Sequence, residues 1–174
     1  MFHYIKAADY TEQPWKNGGG LTHEIAADDF WRVSIATIDR DGPFSEFRGF
    51  DRTIVAIEGD PVELQIGSET IALTPFQPYE FTGESPVYAR VRGRARDFNV
   101  MTRRKEVAHD VEIVSGRHRF VIDEDEFALV YATVETRVDD VTLAAGDTLA
   151  IEDVEAFTVE TASHAIVVRL TVTD

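Results

Sequence analysis

The chain contains no cysteine among its 174 residues. Disulfide bonds, thiolate nucleophiles and cysteine-ligated zinc sites are therefore excluded. Cationic residues are also scarce, since 17 Lys and Arg stand against 32 Asp and Glu, and the formal net charge is −15. Nucleic acids and anionic membranes are bound by clustered Lys and Arg. We therefore expect neither kind of partner.

Long hydrophobic runs are missing as well. No stretch approaches the roughly 20 apolar residues that a transmembrane helix needs, and the opening residues MFHY do not resemble a signal peptide. The cytoplasm is the location that we expect.

The charge is unevenly distributed along the chain. Residues 1–105 contain 16 acidic and 13 basic side chains, whereas residues 106–174 contain 16 acidic and only four basic ones. A binding site for a small anion is therefore expected in the first part of the chain.

Helical periodicity is absent, and strand patterns take its place. Residues 31–38, WRVSIATI, alternate with the period of two that a half-buried strand shows. Similar short runs recur between glycine-containing turns, which is typical of a β-sandwich or barrel. Residues 70–91 and 148–170 also resemble each other faintly, which suggests a duplicated jelly-roll. We expect two lobes, residues 1–105 with the N-terminal segment and residues 106–174, that share or exchange strands.

Common catalytic and metal-binding motifs are not present. Lys16 precedes the glycines at 18–20 and a strand follows them, which is the reverse of a phosphate-binding loop. No two histidines lie two residues apart, so no strand face presents the histidine pair of a metal-binding barrel. A nucleophile elbow is also missing. We therefore expect no metal and no cofactor.

Two polar stretches remain to be explained. Residues 42–52, GPFSEFRGFDR, mix glycines, aromatic rings and an Asp-Arg pair in a loop before a strand. In the strand after residue 96, alternation places Asp97, Asn99, Met101 and Arg103 on one face. Such a face is costly in a core unless its groups are paired or meet a ligand. The alternative is a strand whose polar face lies in solvent.

Four ordered blocks resemble the HutD/Ves family. They are PWKNGGGLTHEI at 14–25, WRVSIATI at 31–38, GPFSEFRGFDRTIVAIEG at 42–59 and RDFNVMTRR at 96–104. The resemblance implies an all-β fold with little helix, a double-stranded β-helix (jelly-roll) bicupin of the RmlC-like cupin type. It also implies binding of a small acidic or histidine-derived metabolite, such as urocanate, formylglutamate or formiminoglutamate, in a regulatory or flux-limiting role in histidine utilisation.

Carried over position by position, the resemblance implies a ligand pocket in the first lobe. In this picture Trp15 offers a flat wall, and Arg103 either pairs with Glu24 or clamps a carboxylate. The family more often has Arg at the position of His23, which leaves ligand choice open. The implied ligand-binding residues are Trp15, Lys16, Asn17, Thr22, Glu24, Ser34, Asp51, Arg52, Asn99 and Arg103.

Three functional classes stay open at this stage. A non-catalytic binding protein for a small, anionic metabolite is the expectation. The alternatives are a metal-independent cupin enzyme, an isomerase or hydrolase with Glu24 as general base, and an interaction protein that uses an exposed apolar patch. The oligomeric state is open too, a homodimer included.

Overall fold

A computed structural model of the chain describes residues 1–16 and 18–173. Strands dominate, and the one helical element in this part of the chain is the short 3-10 helix η1, Ala7–Asp9. No helix among these residues has the length and apolar character needed to cross a bilayer. The chain divides into a central unit, Thr11–Arg104, and a terminal unit made of Met1–Tyr10 and Lys105–Asp174.

The central unit consists of two antiparallel sheets. The strands are β2 (Thr11–Pro14), β3 (Gly20–Ala27), β4 (Trp31–Ile38), β5 (Gly42–Pro43), β6 (Phe50–Gly59), β7 (Val62–Ile66), β8 (Glu69–Ala72), β9 (Tyr79–Thr82), β10 (Val87–Val91) and β11 (Ala95–Arg103). One sheet has six strands in the order β2-β3-β4-β11-β6-β9, and the other has four in the order β5-β10-β7-β8.

The apolar core of the central unit joins the inner faces of these two sheets. Side chains from the six-stranded sheet, Ile38, Ile54 and Ala95, form one buried cluster with residues of the four-stranded sheet such as Leu64 and Ala89. Because side chains alternate along a strand, positions two and four residues from Ile38 on β4 lie on this same inner face. Ala36 and the polar Ser34 occupy these positions and therefore face the interior of the unit.

The terminal unit has a filled interior. Its strands form one sheet in the order β1-β16-β13-β17-β14-β15, and β12 also pairs with β17. Phe120 and Phe157 stack at 5.2 Å within a continuous buried apolar cluster. The strands are β1 (Phe2–Ile5), β12 (Val107–Val121), β13 (Glu126–Ala132), β14 (Thr136–Val138), β15 (Val141–Leu143), β16 (Thr148–Ile151) and β17 (Ala156–Val172).

The first ten residues belong to the terminal unit, which differs from the expected division at residue 105. Strand β1 pairs with β16 in antiparallel register from Phe2 to Ile5. The Tyr10 hydroxyl is also hydrogen-bonded to the carbonyl of Gly146 at 2.7 Å and to Thr148 at 2.6 Å. An extended edge strand is stabilised by whichever partner completes its ladder, and that partner lies more than 140 residues away in sequence.

Candidate functional site

A cavity of about 490 Å³ lies within the central unit. Strands β2, β3, β4, β6 and β11 and the segment around residues 43–47 contribute its walls. This volume lies in the range of small-molecule sites, about 300–1,000 Å³. The lining residues are Gln13, Pro14, Trp15, Lys16, Thr22, Arg32, Ser34, Ala36, Pro43, Phe44, Ser45, Phe47, Arg52, Asn99 and Met101.

The floor of the cavity is the inner face of the six-stranded sheet. On β4, Arg32, Ser34 and Ala36 line the cavity at every second position. On the neighbouring strand β11, Asn99 is paired with Ser34, and Met101 with Arg32. Toward Ile38 the same face becomes part of the apolar core. The cavity therefore adjoins the apolar core, and the same sheet face borders both.

Trp15 forms one wall of the cavity. Its indole Nε1 donates a hydrogen bond to the Thr22 hydroxyl at 2.9 Å, and its ring meets Phe44 edge to face at 6.0 Å. Gly18 has a φ of +69°, and the Arg40 guanidinium donates hydrogen bonds to its carbonyl oxygen. Here a glycine removes the steric cost of the left-handed conformation in the turn between β2 and β3.

Gly20 sets how closely Trp15 approaches the sheet. A Cβ atom at this position would lie 2.5 Å from the carbonyl oxygen of Thr37 and 3.0 Å from the indole ring of Trp15.

We expect Gly20→Ala to lower the free energy of unfolding by about 1–3 kcal/mol, the usual cost of overpacking. Urea denaturation measures this loss. Ala27→Ser, at an exposed position of the same strand, should change it by less than about 0.5 kcal/mol, and an equal change in both variants would contradict the steric argument.

Arg52 is a buried cation inside an aromatic enclosure. Only 8% of its surface is exposed. The guanidinium carbon lies 4.8 Å from the Phe81 ring centroid, 5.3 Å from that of Phe47 and 5.8 Å from that of Phe44. Rings at these distances stabilise the cation through their negative faces.

Part of the hydrogen-bonding capacity of Arg52 is unused. Nη1 donates to the carbonyl oxygen of Ser45 at 3.3 Å, whereas Nε has no partner. None of the ion pairs in the described part of the chain includes Arg52. Burial, together with the positive charge of Arg32, lowers the pKa of Arg52 to about 10. The side chain therefore stays cationic at neutral pH and has donors available.

Glu24 is engaged by Arg32. One of its carboxylate oxygens lies 2.9 Å from Arg32 Nε, and Arg32 Nη2 donates to the side-chain oxygen of Gln13, also at 2.9 Å. Glu24 is not among the residues that line the cavity. Glu24 therefore pairs with Arg32 and not with Arg103, the expected partner. The reason is that β4, which carries Arg32, is the direct neighbour of β3, which carries Glu24. His23 lies beside Glu12, at 3.6 Å.

Asp51 and Arg103 also lie outside the cavity lining. Arg104 is paired with Asp51 at 2.8 Å and with Glu84 at 3.2 Å, and Glu84 accepts a hydrogen bond from the Gly49 amide. The Arg104 guanidinium lowers the pKa of Glu84 to about 2. These contacts hold the loop that presents Phe44 and Phe47 to the cavity. The Arg103 guanidinium instead lies over the rings of Phe30 and Phe50, at 5.9 and 5.5 Å.

Asp97 is a fully buried carboxyl on β11, paired across strands with the cavity-lining Ala36. It has no exposed surface, and neither of its carboxyl oxygens has a hydrogen-bond partner. Burial raises the pKa of this carboxyl to about 7. Asn99, two residues further along β11, donates a hydrogen bond from its side-chain amide to the Asp97 backbone carbonyl at 3.3 Å.

Six of the ten residues implied by the resemblance line the cavity: Trp15, Lys16, Thr22, Ser34, Arg52 and Asn99. Asn17 falls outside the residues that the structure describes. Arg32 lines the cavity but is not among the ten implied residues, although its position two residues before Ser34 places it on the same strand face. The cavity-lining role of Phe44 and Phe47 had no such signal, because a loop has no fixed side-chain period.

No cluster of three or more His, Asp or Glu side chains that could hold a metal ion occurs within residues 1–16 and 18–173.

A sequence profile of the HutD family matches residues 7–168. The chain belongs to the HutD family. The "uncharacterized 21.2 kDa protein in hutC 3'region" of Pseudomonas putida is 42% identical over 106 residues, which cover 56% of each chain. Protein Ves of Escherichia fergusonii is 40% identical over 98 residues, or 51% of each. The matched stretch thus spans only about half of these relatives' length.

Solved structures show that this HutD-family chain has the cupin fold. HutD from Pseudomonas fluorescens SBW25 superposes with a TM-score of 0.92 and 32% identity over the full length of both chains. A cupin 2 conserved barrel protein from Leptotrichia buccalis has a TM-score of 0.64 at 11% identity, covering 98% of this chain and 96% of its own. The all-β cupin prediction is confirmed.

Proposed function

We propose that this HutD-family protein binds a small organic anion in the cavity of the central unit, in a regulatory or flux-limiting role and without catalysing a reaction. The observation that carries the proposal is Arg52, a buried cation that opens on the cavity with unused donors and no carboxylate partner of its own. A buried charge is costly unless it is paired. A carboxylate or similar anion from solution would supply the missing partner.

The other lining groups favour the same ligand charge. Among the described residues that line the cavity, Lys16, Arg32 and Arg52 are cationic and none is acidic. Planar guanidinium groups bind carboxylates with two parallel hydrogen bonds. Trp15 adds a flat apolar wall, which suits a planar or unsaturated group next to the carboxylate.

Acids of histidine breakdown fit this description by size and charge. Urocanate, formylglutamate and formiminoglutamate are small carboxylates with a polar group at the end away from one carboxylate. The names of the Pseudomonas relatives, HutD and a protein of the hutC 3' region, support testing these compounds first. They are therefore the ligands proposed for this chain.

The position of Glu24 supports binding without catalysis. A general base must reach a proton of the bound substrate within about 2.6–3.2 Å, directly or through one water. Glu24 is not among the cavity-lining residues, and its carboxylate is held by Arg32. The enzyme alternative with Glu24 as base therefore has less support than binding alone.

Thermal denaturation with and without these acids tests the proposal. A ligand present at 100 times its Kd stabilises the native state by about 2.7 kcal/mol, which should raise Tm by roughly 5–10 °C for a chain of this size. The corresponding primary amides, which lack the negative charge, should shift Tm far less. If no acid raises Tm and calorimetry detects no binding, the proposed function is wrong.

A further inference from the structure

The three cations that line the cavity differ in how far their charge is compensated. Lys16 is exposed, so that water and salt screen its ammonium group. Arg52 is buried and belongs to none of the ion pairs found among the described residues. Arg32 is half-buried, and its guanidinium contacts a carboxylate of the protein itself. Of these three cations, Arg52 is therefore the one that is both buried and uncompensated.

The carboxylate that compensates Arg32 belongs to Glu24 on β3. Glu24 lies two residues from the cavity-lining Thr22 on β3, and its cross-strand neighbour Ser34 also lines the cavity. One Glu24 carboxylate oxygen lies 2.9 Å from Arg32 Nε, and the two side chains are only 26% and 23% exposed. Solvent screens the attraction of such a pair less than it does at the surface. The Arg32–Glu24 pair therefore adds no net charge to the cavity wall.

The position of Arg32 is fixed on the side of β4 that lies away from Arg52. Arg32 Nη2 donates to the side-chain oxygen of Gln13 at 2.9 Å. Gln13 and Glu24 lie on β2 and β3, whereas Arg52 lies on β6, and the sheet order is β2-β3-β4-β11-β6. Because like charges repel, this separation favours the arrangement. An anion that approached Arg32 would meet a guanidinium that is already held by two protein groups.

A ligand with two carboxylates would bring a charge that the described lining residues do not compensate. Arg52 supplies one buried positive charge, and its planar guanidinium matches one carboxylate. The second carboxylate would lose hydration and would gain only a contact that Glu24 already makes with Arg32. Displacing Glu24 would leave that side chain half-buried without its cation. A neutral polar group in place of the second carboxylate meets neither cost.

We infer that Glu24 sets the charge of the ligand: by neutralising Arg32 it leaves one uncompensated buried cation, so that the cavity selects organic acids with one negative charge over acids with two. The inference rests on the proposed function, because Arg52 must hold the first carboxylate. Glu24 is a positioning residue in this site, since it acts on the ligand only through the Arg32 side chain.

Succinate and succinamate test this selection, because they have nearly the same shape and differ in one group, a carboxylate in the first and a neutral amide in the second. By isothermal calorimetry at pH 7, wild type should bind succinamate at least about tenfold more tightly than succinate. Glu24→Gln frees the charge of Arg32 and should raise the affinity for succinate at least about tenfold. The affinity for succinamate should rise less than about threefold, since its single charge is already compensated by Arg52.

A double variant shows whether Glu24 acts through Arg32. Glu24→Gln combined with Arg32→Met removes both members of the ion pair, so the net charge of this wall returns to that of the wild type. The preference for succinamate should therefore return to within about threefold of the wild-type ratio. Glu12→Gln is the matched control, because it makes the same change at a 63% exposed side chain on β2 that does not line the cavity. It should leave the ratio within about twofold of wild type.

The outcomes separate this inference from the proposed function. Equal affinities of wild type for the two probes, or a ratio that Glu24→Gln leaves unchanged, would overturn the role of Glu24 while the anion site stands. The same shift in Glu12→Gln would do so too, because net charge and not the ion pair would then be responsible. If neither probe binds to wild type or Glu24→Gln while another acid raises Tm, the role of Glu24 alone is wrong. If no acid binds at all, both proposals are wrong.

Discussion

Replacing Arg52 by methionine should weaken carboxylate binding about 30-fold or more while the protein stays folded. The guanidinium is the buried cation of the cavity that has no carboxylate partner. Loss of a hydrogen-bonded, desolvated charge pair costs about 2–5 kcal/mol, and tenfold in affinity corresponds to about 1.4 kcal/mol. Isothermal calorimetry with the acid that gives the largest thermal shift measures the loss.

Stability should respond to Arg52→Met much less than binding does. Methionine fills a similar space among Phe44, Phe47 and Phe81, and it relieves the cost of burying a charge. The lost attraction between the cation and the rings acts in the opposite direction. Because the two terms offset each other, we expect the free energy of unfolding to change by less than about 1.5 kcal/mol.

Arg103→Met is the matched control for this prediction. Arg103 is exposed, contacts aromatic rings as Arg52 does, and does not line the cavity. Its replacement should leave the affinity within about twofold of wild type, since rim and surface charges contribute little. Equal losses in the two variants would indicate a general effect of net charge, and an Arg52→Met protein with wild-type affinity would remove Arg52 as the anchor.

Asp97→Asn should stabilise the unliganded protein markedly at alkaline pH. The pKa of the carboxyl is raised from 3.8 to about 7 in the folded state. Between these two values the native state binds more protons than the unfolded state, so wild-type stability falls as pH rises and levels off above pH 7. One pKa unit corresponds to about 1.4 kcal/mol, which gives up to about 4 kcal/mol at pH 8.

The pH dependence of this gain distinguishes desolvation from a general mutational effect. The difference between Asp97→Asn and wild type should grow by up to about 1.4 kcal/mol per pH unit from pH 5.5 to 7 and then stay constant. Urea denaturation across this range measures it. Asp140→Asn, at an exposed position, should change stability by less than about 0.5 kcal/mol at every pH. A gap that does not grow with pH would mean that Asp97 is ionised at little cost in the native state.

The two predictions concern buried polar groups that the fold leaves partly without partners. Arg52 and Asp97 each have buried polar atoms without a hydrogen-bond partner, and both lie on the inner face of the six-stranded sheet. Apolar residues would cost the fold less at both positions. For Arg52, which lines the cavity, this cost agrees with the anion site that we propose.

The amino-acid sequence by itself determined the strands and the faces of their side chains. Alternation in RDFNVMTR was enough to place Asp97 and Asn99 on the same strand face, and alternation in WRVSIATI assigned Ser34 to one face of its strand, because a strand has a side-chain period of two that depends on no distant contact. Whether these faces point to the interior or to solvent stayed open. The absence of cysteine and the paucity of cations likewise restricted the chemistry and the partners that we considered.

Only the tertiary structure decided which of these faces meet and which groups pair. It placed Arg32 beside Glu24, enclosed Arg52 in rings from a loop and from β9, and paired β1 with β16. These contacts join residues 5 to about 150 positions apart, and their choice depends on sheet order and loop paths that no local pattern encodes. The segment PWKNGGGLTHEI illustrates both contributions. The sequence alone predicted a bend at its glycines, whereas the tertiary structure made Trp15 a wall of the cavity.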